Sequence, residues 1–168
     1  MMWELSNRAD SAVLPLADRH YNRQKPGTPQ FTPPGRCMVL RHGNLVSAFW
    51  VTSWPFAEYT QHAWAGAWVC SAFRREGGAF RASDMIRAAV AATRWKYGHA
   101  PELGMVTFIN RDKVRPTKVR GRPVWGWTYR RAGFVEDGET QGGLLCLRLH
   151  PADMPEPEAP IGAQLRLL

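Results

Sequence analysis

No apolar run in the 168-residue chain approaches the roughly 18 residues that a membrane-spanning helix needs. The opening MMWELSNRAD has neither the basic head nor the apolar stretch of a secretory signal, so no export is expected. Cysteine is scarce: Cys37, Cys70 and Cys146 are too far apart for a disulfide framework or a zinc knuckle. A reducing cytoplasm is therefore the expected compartment. His20, His42, His62, His99 and His150 show no ligand spacing, and no metal site is expected. There is no internal repeat. Acidic residues are also few, 14 against 22 Lys and Arg.

That last shortage is the most informative. The net charge is +8, the sequence pI is about 10.0, and there are 8 Trp, several beside Arg or Lys. A basic surface concentrates polyanions: nucleic acid, or small molecules that carry phosphates. The mass of 19.0 kDa and 45% apolar content fit one domain with its own core. After His150 the sequence PADMPEPEAPIGAQLRLL loses its pattern, so residues 1–150 are expected to form the domain and 151–168 a Pro-rich surface tail. The apolar end of that tail could dock on the body or on a second copy, which allows a homodimer.

Ala9–Tyr21 reads as a short helix, with Asp10 or Ser11 as cap and Pro15 in the first turn. A proline-rich loop follows. Cys37–Arg41 and Leu45–Ser53 form a hairpin across His42–Asn44. Ala63–Phe73 reads as a third strand. Ser83–Tyr97 is a helix with Ser83 as N-cap, its apolar positions recurring on one face. Leu103–Ile109 is a continuous apolar run, as in a strand buried on both faces. A basic loop is expected over 110–123, a short helix around Trp125–Arg131 that stops at Gly133, and a final hairpin of Phe134–Glu136 and Leu144–His150. This order predicts a mixed α/β domain with one central sheet and helices on its faces.

Two stretches carry chemistry. Arg74-x-x-Gly77-x-Ala79, with Arg75, Gly78 and Ser83 beside it, joins a strand to the head of the best helix. Glycine lets a ligand approach the backbone, and free N–H groups at a helix start favour phosphate. Tyr129-x-x-x-Gly133-Phe134 leads from the short helix into a strand. Tyr129 can donate a proton if its hydroxyl faces the sheet; alternatively it is packed core. His20, Tyr21 and Ser71 are further polar candidates.

Together these motifs resemble those of the GNAT superfamily of acyl-CoA-dependent acyltransferases. In that family a Gln/Arg-x-x-Gly-x-Gly/Ala loop after the fourth strand cradles the CoA diphosphate, a Tyr-x-x-x-Gly-Phe segment closes the second cofactor-side helix, and an Asn often ends the fifth strand, here Asn110. The resemblance implies a mostly antiparallel mixed sheet flanked by helices and an acetyl-CoA or related acyl-CoA donor. His20–Tyr21 with Arg23, and Thr107–Phe108–Ile109–Asn110 at a strand end, resemble more narrowly the phage Mom-like DNA modification proteins. That family has Asp where this chain has Asn110. The narrower resemblance implies transfer to the exocyclic amine of adenine in DNA, with host cytoplasm as the setting if the protein is phage-encoded.

The sequence NRDKVRPTKVRGRP supports nucleic acid independently. Arg111, Lys113, Arg115, Lys118, Arg120 and Arg122 stand against one acid, Asp112. Such a loop can neutralise backbone phosphates, with Arg23 and Lys25 adding charge. Trp125 and Trp127 follow, and an aromatic ring that stacks on a base contributes about 1–3 kcal/mol. Three readings follow: a DNA-modifying transferase, a conventional N-acetyltransferase acting on an amine, or a non-catalytic basic DNA-binding module.

Overall fold

A computed structural model describes residues 2–21, 23, 26, 28–30, 32 and 35–163. The elements in chain order are β1 (Glu4–Leu5), α1 (Leu14–Asp18), β2 (Cys37–His42), β3 (Ala48–Ser53), β4 (Trp68–Arg75), α2 (Ala82–Tyr97), β5 (Met105–Ile109), β6 (Thr117–Val119), β7 (Arg122–Val124), α3 (Trp127–Arg131), β8 (Val135–Glu139) and β9 (Leu145–Leu149). Seven strands form one mixed sheet in the order β1-β2-β3-β4-β5-β9-β8; β6 and β7 form a separate two-stranded sheet. Every neighbouring pair in the large sheet is antiparallel except β4–β5. The mixed α/β class read from the sequence is therefore present. Among the described residues, no helix is long and apolar enough to cross a membrane.

Burial explains the layers. Met85, Ile86, Ala89 and Val90 of α2 meet Met38, Leu40, Trp50, Trp68 and Met105 on one sheet face, and α3 adds the half-buried Tyr129. Val13, Leu16 and Ala17 at α1 cover Val39, Phe49 and Val51 on the opposite face. Inside the first layer, Trp50 Nε1 donates to Thr52 Oγ1 at 2.6 Å, Thr52 and Thr93 hydroxyls lie 2.8 Å apart, and Thr93 Oγ1 donates to the Ala89 carbonyl. These bonds satisfy the hydroxyls of Thr52 and Thr93 and the Trp50 indole inside the layer, while the buried Trp68 Nε1 has no partner there among the described residues.

Several boundaries differ from the sequence reading, each for a local reason. The first helix shrinks to Leu14–Asp18 because Asp10 terminates the chain's approach to it: its Oδ1 accepts from Ala12 N, and its carbonyl accepts from Val13 and Leu14. The third sequence strand begins only at Trp68. Ala63–Gly66 is a turn, with Gly66 at φ +95° and Trp64 Nε1 donating to Asp137. Ser83 is not the cap of α2; the extended residue Arg81 holds that position and pairs with Asp84 at 3.0 Å. The expected 110–123 loop contains the β6–β7 hairpin. Its two-residue turn, Arg120–Gly121, has positive φ at both positions (53° and 79°), the conformation that joins twisted antiparallel strands.

The segment after His150 lies extended along α2 and β1. Arg94 donates to the Pro155 carbonyl at 2.7 Å, Glu158 N donates to Ala91 O at 3.1 Å, and Ile161 exchanges backbone bonds with Trp3 and Leu5. Met154 and Ala163 are buried by this docking.

Candidate active site

The site arises where β4 and β5 part. They pair only at Trp68↔Met105 and Val69↔Val106, although β4 runs on to Arg75 and β5 to Ile109. On their outer sides β5 pairs with β9 along its whole length, and β4 pairs with β3 from Val69 to Arg75 except at Ser71. A bulge between Val51 and Thr52 leaves Ser71 as the extra residue on β4 and bends the strand there. The result is a cleft between parallel neighbours, with a cavity of about 510 Å³.

Five groups of residues line it. Cys70, Ser71, Phe73 and Arg74 come from β4, and Thr107, Phe108 and Ile109 from β5. Arg19, His20 and Tyr21 come from the end of α1. Lys113, Arg115 and Thr117 come from the foot of the β6–β7 hairpin, and Trp127, Thr128 and Tyr129 from α3. Four cations thus surround the cavity, and no acidic residue lines it among the described residues.

Tyr129 is held in the wall by the end of its own helix. Phe134 N donates to Tyr129 O at 3.0 Å and Gly133 N to Arg130 O at 3.1 Å, with Gly133 at φ +107°, a Schellman closure. Its hydroxyl lies 3.5 Å from Cys70 Sγ. Desolvation pushes the phenol well above its ordinary range, and the neighbouring Cys70 adds to the effect. Burial likewise pushes the Cys70 thiol up to about 12. Both groups therefore hold their protons at neutral pH, and Cys70 is no thiolate nucleophile. Thr107 Oγ1 donates to the Cys70 carbonyl at 3.2 Å, the place where a ladder bond would otherwise stand.

His20 stacks on Tyr21, with centroids 4.8 Å apart, and meets Phe49 edge-on. Tyr21 Oη donates to the Phe108 carbonyl at 3.3 Å, and burial raises its pKa. Ser71 Oγ lies 3.0 Å from Ser53 Oγ. At the mouth, Glu76 accepts from Arg19 at 2.7 and 2.5 Å and from Arg74 at 2.5 Å, while Arg74 also donates to Arg19 O. The Arg19 and Arg74 guanidiniums hold the Glu76 carboxyl down at about 2.

Of the residues expected in the phosphate bend, only Arg74 lines the cavity. Arg75 folds back to donate to the carbonyls of Gly78 and Phe80. Gly77 and Gly78 have φ of +125° and +112°, so the bend does require glycine. The amides of Gly77, Gly78 and Ala79 donate to no group among the described residues. Ser83 sits in the first turn of α2, beyond the cavity.

Asn110 does not line the cavity. Its Oδ1 accepts from Asp112 N, and its carbonyl accepts from Lys113 and Val114, so it builds the turn that launches the basic segment. Trp127 faces the cavity. Trp125 packs on the core instead, and its Nε1 donates to Val114 O at 2.9 Å, closing the hairpin at its base. Arg111 pairs with Glu139. Arg23 is only 6% exposed and is used up on Asp18 and Thr28. Lys113, Arg115, Lys118, Arg120 and Arg122 are exposed and make no ion pair among the described residues. Lys25 lies outside the described residues.

Arg19, Phe73, Thr107, Thr117 and Thr128 were not singled out as site residues from the sequence. Arg19 directly precedes the His20–Tyr21 pair, and Thr107 opens the strand-end motif, so proximity was the available signal. Comparison of the chain with protein-family models, with curated protein sequences and with solved structures finds no match.

Proposed function

We propose that this protein is a GNAT-like transferase that modifies a base in DNA, in the manner of the Mom-like proteins, with an acyl-CoA-type donor entering between β4 and β5. The observation that carries the reading is the cleft itself: a cavity opened by two parted parallel strands, rimmed by cations, with a protonated phenol in its wall. Counting Glu4–Leu5, the Arg74–Ala79 bend follows the fourth strand and Asn110 follows the fifth, as the resemblance requires. The sheet also has one parallel pair, flanked by antiparallel neighbours.

Arg74 at the cavity and the bend that follows it offer donors to a diphosphate. The Arg74 guanidinium, and the amides of Gly77–Ala79 that make no hydrogen bond among the described residues, are donors of the kind phosphate oxygens accept. The donor, when bound, supplies an activated acyl group. His20 lines the cavity, and an imidazole there is the kind of group that takes the proton an attacking amine must lose. Tyr129 keeps its hydroxyl hydrogen until a proton is needed in the cleft. Trp127 and the basic hairpin foot serve the nucleic acid, because a base modified within duplex must leave its stack.

Electrostatics favours this over a free-amine acetyltransferase. A protonated amine approaching Arg19, Arg74, Lys113 and Arg115 meets repulsion and finds no lining carboxylate among the described residues, whereas a polyanion is attracted. The test is mass spectrometry of nucleosides from cells expressing the protein, alongside calorimetry with acetyl-CoA. A mass-shifted deoxyadenosine and donor binding are expected. Unmodified DNA together with turnover of free amines would overturn the reading.

A further inference from the structure

We infer that the β6–β7 hairpin is a reading arm that enters the major groove of duplex DNA and holds the cavity beside it. The inference rests on the DNA-modifying reading and goes further, to the form of the nucleic acid and the way it is contacted.

The hairpin is a sheet of its own, apart from the main one, and every residue from Arg120 to Pro123 is exposed. Two antiparallel strands about 4.8 Å apart make a ribbon that the roughly 12 Å major groove of B-DNA admits. The register gives the ribbon two faces. Thr117, Val119, Arg122 and Val124 share one, and Thr117 turns it toward the cavity; Lys118 and Pro123 share the other. Arg120 stands at the tip, in the turn. No acidic residue occurs between Lys113 and Trp125, so charge complementarity with a phosphate-lined groove is complete along the arm.

The ribbon is also anchored. Trp125 Nε1 ties its end to Val114 O, and Val119 and Val124 are half-buried. A fixed narrow arm reads a groove, whereas a platform for single strands needs aromatic rings, and none lies between Lys113 and Val124. The deep, narrow major groove of A-form RNA excludes such a ribbon.

The test compares a labelled 20-base-pair DNA duplex, its single strand and the matching RNA duplex by fluorescence anisotropy, with the full chain and its Arg120→Gly variant. Glycine is unstrained at φ +53°, so the variant should melt like the wild type. The DNA duplex should bind about tenfold tighter than either alternative, and Arg120→Gly should weaken it by about tenfold. Methyl green, which fills the major groove, should compete, and netropsin, which fills the minor groove, should not. Equal binding of single strand or RNA duplex overturns the inference, as does competition by netropsin alone. Duplex binding unchanged by Arg120→Gly overturns the arm while leaving the DNA-modifying reading in place. If the wild type retains no nucleic acid of any form, both fall.

Discussion

The two halves of the β4–β5 contact are built from opposite materials. Below, Trp68, Met105 and Val106 are fully buried, the strands are laddered, and Trp68 N donates to Gly104 O at 3.0 Å. Above, the same two strands carry Ser71, Arg74 and Thr107, and a side-chain bond from Thr107 to the Cys70 carbonyl reaches across the gap. An apolar zip holds the strands so that a gap lined by polar groups can exist a few residues later. The stability of the lower half and the chemistry of the upper half are therefore separable.

Disturbing the apolar zip should have the largest effect. A Cβ at Gly104 would lie 2.0 Å from the Leu149 carbonyl oxygen, at a φ of +73°. Strain and overpacking together predict that Gly104→Ala costs about 3 kcal/mol or more, read from urea unfolding. A variant as stable as wild type would show that the lower half is not what holds the cleft.

The next substitution sharpens the contrast from above. Tyr129→Phe removes a hydroxyl whose partner is a thiol, so stability should change by less than about 1 kcal/mol. Turnover should fall by about a hundredfold, with the affinity for the donor preserved. Loss of donor affinity at unchanged turnover would assign Tyr129 to binding.

The smallest effect lies at the mouth. Glu76 has a folded pKa of about 2, below its ordinary value of 4.5, through its bonds to Arg19 and Arg74. Its contribution is thus present above about pH 4.5 and fades as pH falls toward 2. Because the group is solvent-screened, Glu76→Gln should cost under about 1 kcal/mol at pH 7, and the two proteins should converge near pH 2. A gap that persists at pH 2 would place the effect in packing instead of charge.

What the sequence made legible follows from the range of the forces involved. Residues Ser83–Tyr97 predicted α2 to within one residue, since helical periodicity is local, and the apolar run at 103–109 contained β5. The Tyr129–Phe134 helix end was likewise visible in its glycine. The β6–β7 hairpin escaped because its strands are only three residues each, with a proline and three polar or cationic residues among the six; the signal that remained was Arg120–Gly121 between Val119 and Arg122. The two-residue β1 is defined by pairing alone. The lining role of Phe73 and Thr128 depends on strands parting and on α3 crossing the sheet, which no window of sequence records. Conversely, Asn110, Arg23 and Trp125 matched functional types by composition, yet local hydrogen bonds commit them to turns and packing.

The parallel bridge between Glu4 and Ile161 has a consequence for the molecule's behaviour at high concentration. It occupies backbone groups that β1 would otherwise offer to another chain, and the far border of the sheet, at β8, displays Glu136 and Glu139. One flank is shielded by a strap and the other by charged side chains, so stacking of copies into a continuous ribbon is opposed from both sides.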